Sequence, residues 1–181
     1  MTALIIDSET ESITVEESVN FDTHFGTRYG VVNGSIDLGD GEVHAPPQMW
    51  IESLDVLLET LCSHGIDLSS IAAVSGSGQQ HGTVYLNSSA SYKLSQLDTA
   101  SSLVTGLSGV FSRDTAPIWM DSSTSVQCGE IETGVGGTEV LLDLTGNTAF
   151  ERFSGPQIRK YSQNDPSGYD DSAVICLISS F

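Results

Sequence analysis

Basic residues are what this sequence has least of: 6 lysines and arginines stand against 24 aspartates and glutamates, a formal net charge of −18. Such a balance repels nucleic acid and anionic lipid at long range, and no basic patch offers a local exception, so neither nucleic acid nor membrane is expected as a partner. A polyanion such as a nucleotide would need backbone N–H groups, helix N-termini or a bound cation to be held here. The carboxylates are spread along the chain, which reads as solubility, in keeping with a salty medium, rather than as a functional tail. Cysteine is scarce too. Cys62, Cys128 and Cys176 are odd in number and widely separated, which argues against a disulfide framework and a CxxC metal or redox site; buried free thiols are expected. No apolar run approaches the ~18 residues of a membrane span, and no basic segment precedes the short apolar stretch Ala3 to Ile6 as a signal peptide would require, so a cytoplasmic location is expected.

Several reactive motifs are missing as well. There is no Gly-Lys-Ser/Thr phosphate loop and no GxSxG elbow, and the histidines at 24, 44, 64 and 81 lack the i, i+4 spacing of a helix-borne metal pair, so no metal ligand set is assigned. What remains is the composition of a globular domain, 39% hydrophobic, in a chain of 181 residues that suffices for one domain with a real core.

The chain opens with strand-like Thr2 to Asp7, a turn, and a second run from Ser12 to Val19 with period-2 alternation, which together read as a hairpin. Phe21 to His44 shows little regular pattern and reads as a long glycine-rich loop. Pro46-Pro47 opens the clearest helix, to about His64: Met49, Trp50, Leu54, Leu57, Leu58 and Leu61 recur at helical spacing, Glu52, Asp55 and Glu59 take the other face, and Gly65 stops it. His64, in its last turn, is assigned no chemistry. Asn87 to Phe111 receives no element. Ala116 to Met120 reads as a short strand ending at Asp121, and Ser122 to Thr124 as the cap of a helix through Gln127 and Ile131. Thr138 to Leu144 is a further helix, stopped by Gly146. Ser154-Gly-Pro-Gln157 is a capping-box pattern opening a helix to about Gln163 with Ile158 inward, and Ala173 to Ile178 reads as a buried strand or a helix start. Strands alternating with helices give an α/β class.

Chemistry concentrates at Ser75 to Gly82, SGSGQQHG, which reads as the turn between a short apolar strand, Ile71 to Val74, and a second strand-like run, Thr83 to Leu86. Three glycines permit a sharp turn or close approach to a ligand, and Gln79, Gln80 and His81 bring neutral donors and acceptors together. Such a set suits a neutral polyhydroxylated substrate better than an ion. A dinucleotide fingerprint is disfavoured, because His81 takes the slot of the third glycine and no acidic residue stands about twenty positions on.

At these residues the chain resembles the FGGY carbohydrate kinases, specifically their xylulokinase-like members. Three collinear stretches carry the resemblance: Ala73 to Gly82 (AVSGSGQQHG), Ala116 to Thr124 (APIWMDSST) and Thr145 to Arg159 (TGNTAFERFSGPQIR). It implies a ribonuclease-H-like domain of the actin and hexokinase type over residues 1–181, with the sugar bound in the cleft facing a second, ATP-binding domain. It further implies that Gln80 and His81 line the sugar site, that Arg152 contacts the sugar, and that Gly78 and Asp121 support the site. The activity implied is ATP-dependent phosphorylation of a ketopentose, D-xylulose by preference, with Mg2+; ribulose or glycerol as substrate, and a non-catalytic sugar-binding module, stand as alternatives. The partner implied is a small-molecule sugar, and a homodimer is admitted.

Two features of the resemblance find no match in these residues. The Asp-x-Gly/Ser-Thr turn that meets the ATP phosphates would precede the first strand here, so the domain is expected to lack its first strand. The catalytic aspartate is expected beyond Phe181; Asp165, Asp170 and Asp171 do not match its motif. No residue of this chain is therefore assigned as catalytic, and the polypeptide alone is expected to be inactive. An unpaired apolar edge on the hairpin is the physical corollary.

Overall fold

A computed structural model of the chain describes residues 1–98 and 100–181 as a mixed α/β fold built from three small sheets and eight α-helices among those residues. β1 (Thr2–Asp7) and β2 (Ser12–Ser18) pair antiparallel as the hairpin that the alternation predicts, with Ile5 opposite Val15 and Ile6 opposite Ile13. Leu4, Ile6 and Ile13 lie on its exposed surface.

The stretch read as an irregular loop is instead ordered. It contains α1 (Phe21–Tyr29), β3 (Ile36–Gly39) and β4 (Glu42–Ala45). The Asn20 side chain accepts the Thr23 N–H as N-cap, and left-handed Gly30 ends the helix. The Asp22 carboxylate accepts the amides of Asn33 and Gly34 at 2.8 and 2.7 Å, closing the turn that follows. Each element is too short for periodicity to reveal, and individual cap, turn and ladder bonds hold it.

The long helix, α2 (Pro47–Ser63), is the core's spine. Met49, Trp50 and Leu57 pack with Val19, Phe25, Val84, Ala116 and Ile118, while Ile51 joins Ala90, Leu107 and Val110 in a second cluster. Two details depart from the helical-wheel expectation. Leu54 is exposed and Ser53 is buried, its hydroxyl donating to the Met49 carbonyl at 2.6 Å. Glu52 and Asp55, expected on a solvent face, bind other elements: Glu52 accepts from Tyr29 and Arg28, and Asp55 accepts the Leu103 and Val104 amides at the start of a later helix.

Ile71 to Val74 is not a strand. Val74 is 90% exposed, and no strand among the described residues pairs with this run; β-branched sequence becomes strand only where a partner ladder exists. β5 (Thr83–Asn87) does form, and the region left unassigned beyond it holds α3 (Ala90–Ser95) and α4 (Leu103–Gly106). The expected Ala116 to Met120 strand shrinks to β6 (Ala116–Pro117), which adds to β4, so that β3, β4 and β6 make one antiparallel sheet. Then come α5 (Ser125–Val135), α6 (Thr138–Thr145), α7 (Ser154–Asn164) and α8 (Pro166–Asp170). Ile158 of α7 is half-buried; Pro156, Gln157 and Tyr161 face the interior instead. The last run forms β7 (Ser172–Leu177), antiparallel to β5. It is not buried: Val174 and Leu177 are exposed, because a two-stranded ribbon covers one face only. Cys128 is buried and Cys176 half-buried, but Cys62 is exposed at the end of α2. No helix of the described residues is long and apolar enough to cross a membrane.

Gly82 marks the tightest packing beside the polar turn. A Cβ there would fall 2.0 Å from Ile178 Cδ1 and 3.1 Å from the Pro117 carbonyl oxygen. Gly82→Ala is expected to destabilise by about 1–3 kcal/mol through overpacking, read by thermal denaturation. Ile178→Ala in the same chain should recover part of that loss; no recovery would locate the conflict at Pro117.

Candidate functional site

The residues singled out by sequence fall into two neighbouring groups. The first is a partly exposed face at the entry to β5. His81 adopts φ 67°, a left-handed conformation that a non-glycine residue takes at a cost of about 1–3 kcal/mol unless its surroundings hold it. Its ring stacks on Phe153, centroids 5.0 Å apart and 29° between planes. Phe153 in turn lies 5.7 Å from Phe150, and the Arg152 guanidinium carbon sits 5.1 Å over the Phe150 ring. The two phenylalanines thus bring His81 and Arg152, 71 positions apart, to one aromatic cluster. The Arg152 Nε–H is buried and has no hydrogen-bond partner among the described residues. Gln80 is exposed beside His81, and the Gln79 side-chain oxygen accepts the Trp119 backbone amide at 3.3 Å, tying the turn to the backbone after β6. Gly78 is exposed, yet a Cβ there would lie 3.1 Å from the Ile178 carbonyl oxygen, so it marks a close backbone approach.

The second group is buried and centres on Asp121, 1% exposed. Its Oδ1 accepts the Ser123 amide at 3.0 Å, the Ser123 hydroxyl at 2.6 Å and the Gln157 side-chain amide at 2.7 Å, while Oδ2 accepts the Val43 amide at 3.0 Å. Burial pushes this carboxyl up, but the bonds from Ser123, Gln157 and Val43 together outweigh it and hold it below its ordinary value. Lys160 closes the network, donating to Glu42 at 2.6 Å and to the Ser123 hydroxyl at 2.8 Å.

His44, to which the sequence gave no role, lies here too. Nδ1 is 2.9 Å from the Thr115 hydroxyl, and Nε2 is 3.2 Å from Glu42 and 3.5 Å from Asp121. Burial and the Arg113 charge lower its pKa to about 4, against the opposite pull of Glu42 and Asp121, so the imidazole is neutral at pH 7. A lone histidine on a short strand carries no signal that could have revealed this.

Both capping patterns are spent on this network. Phe153, not Ser154, is the N-cap of α7, and Gln157 turns inward to Asp121 instead of back to the helix end. Thr124 does precede α5, but its hydroxyl donates to the Glu151 carbonyl at 2.6 Å. A buried carboxylate or carbonyl without donors costs more than a helix end that water can solvate, so the interior takes both side chains.

Two clefts flank these groups, and neither is lined by Gln80, His81 or Arg152. One, of about 400 Å3, is polar and bordered by Glu42, His44, Arg113, Lys160, Tyr161 and Asp165. The other, about 870 Å3, is mostly apolar and runs from Trp50 and Leu54 past Gly78 to Phe181. On the face between them Gln80 and Phe150 are exposed, while His81, Arg152 and Phe153 are half-buried.

No family model matches the chain. It is 44% identical over 179 residues to the xylulose kinase of Rattus norvegicus, covering 97% of this chain and 33% of that protein. Against xylulose kinase 2 of Arabidopsis thaliana it is 42% identical over 184 residues, covering 100% of this chain and 32% of that one. Among solved structures, a xyloylose kinase from Brucella ovis superimposes with a TM-score of 0.68 at 17% identity, over 98% of this chain and 30% of that one. A gluconate kinase from Lactobacillus acidophilus gives 0.64 at 14% identity, over 97% and 28%. At those identities the likeness shows the fold alone, which this chain shares with part of these sugar kinases. Over nearly its whole length the chain is similar to xylulose kinases, and it spans about a third of theirs.

Proposed function

We propose that these 181 residues are the sugar-binding part of a xylulokinase-like FGGY kinase, in a ribonuclease-H-like domain of the actin and hexokinase type. Its ligand on this reading is a ketopentose, D-xylulose by preference. The observation that carries the reading is the 44% identity to a named xylulose kinase across 97% of the chain. The gathering of His81 and Arg152 on one aromatic cluster supports it.

The proposed roles follow from chemistry. Imidazole and carboxamide groups at His81 and Gln80 donate to and accept from hydroxyls, and the guanidinium of Arg152 offers a rigid fork to a ketose oxygen, with its orphaned Nε–H as one free donor. Phe150 and Phe153 hold both side chains by stacking, so little rotamer freedom is lost on binding. Gly78 and Asp121 keep the backbone in place. A second domain closing over this face would make the cleft in which a sugar loses its water.

Kinase relatives imply ATP and Mg2+. Among the described residues no group of three or more His, Cys, Asp or Glu side chains could hold a metal ion, and nothing here matches the phosphate-binding turn or the catalytic aspartate. These residues are accordingly not assigned to the nucleotide or to proton abstraction, and phosphoryl transfer is expected to depend on groups matching the other two thirds of the relatives' length.

Titration calorimetry of the 181-residue chain with D-xylulose, ribulose and glycerol tests the reading. Binding of D-xylulose without ADP release from ATP is expected, and Arg152→Ala should weaken it by about 100-fold, the size of a charge-assisted hydrogen bond. Absence of ketopentose binding, or a preference for glycerol that Arg152→Ala leaves intact, would overturn it.

A further inference from the structure

The Glu151 carbonyl, one residue before Arg152, receives two side-chain donors: the Thr124 hydroxyl at 2.6 Å and the Gln157 amide at 3.0 Å. Both donors are immobilised. Thr124 is 0% exposed at the start of α5, and Gln157, 3% exposed on α7, is held by its second bond to the Asp121 carboxylate at 2.7 Å. The Glu151 side chain is also engaged, its carboxylate accepting the Ser125 hydroxyl at 3.1 Å. By contrast, no bond fixes the Arg152 side chain at Nε. Its placement therefore depends on the Phe150 ring beneath it and on where its own backbone sits.

We propose that Thr124 and Gln157 are positioning residues for Arg152: they clamp the Glu151 carbonyl, and so set the direction in which the guanidinium leaves the loop between α6 and α7. This rests on the reading of Arg152 as a sugar contact. Asp121 acts at one remove, by holding the Gln157 amide in its clamping rotamer. Two donors from different helices on one acceptor define its position in the plane of the peptide, which a single bond does not.

The test is a double-mutant cycle on D-xylulose affinity, with Thr124→Val and Arg152→Ala made singly and together in the 181-residue chain, and Thr124→Ser as the conservative control. Thr124→Val is expected to weaken binding about tenfold in the wild-type background and to change nothing further in Arg152→Ala, while Thr124→Ser restores affinity. Hydrogen exchange over residues 147–153 without sugar should rise in Thr124→Val and return in Thr124→Ser. Equal losses in both backgrounds would assign Thr124 to general stability and overturn the proposal. Unchanged affinity in Thr124→Val beside a large loss in Arg152→Ala would overturn the clamp and leave the sugar reading standing. No effect of Arg152→Ala would defeat the sugar reading and the clamp with it.

Discussion

Asp121→Ala is expected to destabilise the domain by about 2–4 kcal/mol, the cost of leaving several partly buried hydrogen-bond donors without their shared acceptor. The carboxylate ties three parts of the chain: β4 through the Val43 amide, the turn after β6 through Ser123, and α7 through Gln157. Alanine would leave the half-buried Val43 and Ser123 amides without this acceptor, and Gln157 without its second one. Lys160 would still reach Glu42 and the Ser123 hydroxyl, so the lysine is not stranded. Asp121→Asn keeps one acceptor oxygen but sets an NH2 against a backbone N–H, and should fall between alanine and wild type. Urea denaturation measures both. A loss under about 1 kcal/mol for alanine would mean that the network relaxes around the gap.

His44 makes stability depend on pH in a window that its own pKa defines. The folded value is about 4, against 6.5 for the unperturbed side chain. Above pH 6.5 the imidazole is neutral in both states and its contribution is fully present. As pH falls toward 4 the unfolded chain takes up a proton that the folded one resists, so stability is lost, by an amount of order 3 kcal/mol once pH passes below 4. Arg113 and Lys160 disfavour that proton, and Glu42 and Asp121 favour it, but burial dominates. Relief of repulsion in a chain of net charge −18 acts in the opposite sense over the same range. That relief is common to wild type and His44→Gln, so the difference between their melting temperatures isolates the histidine. The difference should shrink steadily from pH 6.5 to 4.5; a constant difference would place the His44 proton elsewhere.

Elements with sustained periodicity could be read directly. The hairpin, α2 and α6 follow from alternation, helical spacing and glycine stops, and α7 was placed by its capping-box and proline pattern although that cap is not made. Short elements closed by single side-chain bonds could not. α1 rests on the Asn20 cap, and the turn after it on the Asp22 carboxylate, inside what looked like a glycine-rich loop. Ile71 to Val74 failed in the opposite way, having strand composition and no partner. At the candidate site, His81 and Arg152 stood out in their motifs, but nothing in the spacing linked them. The Phe150–Phe153 pair that does so is a packing fact.

By itself, then, the sequence determined the charge, the periodic elements and the supply of neutral polar groups at Gln79 to His81, because each is a property of local composition. Only the tertiary structure decided who meets whom. The Val43 amide reaches Asp121 across 78 positions and Gln157 reaches it across 36, and His44 becomes a neutral buried base beside them. A buried carboxylate needs donors from wherever the fold can bring them, and that demand overrode both capping patterns that local sequence had written for Thr124 and Gln157.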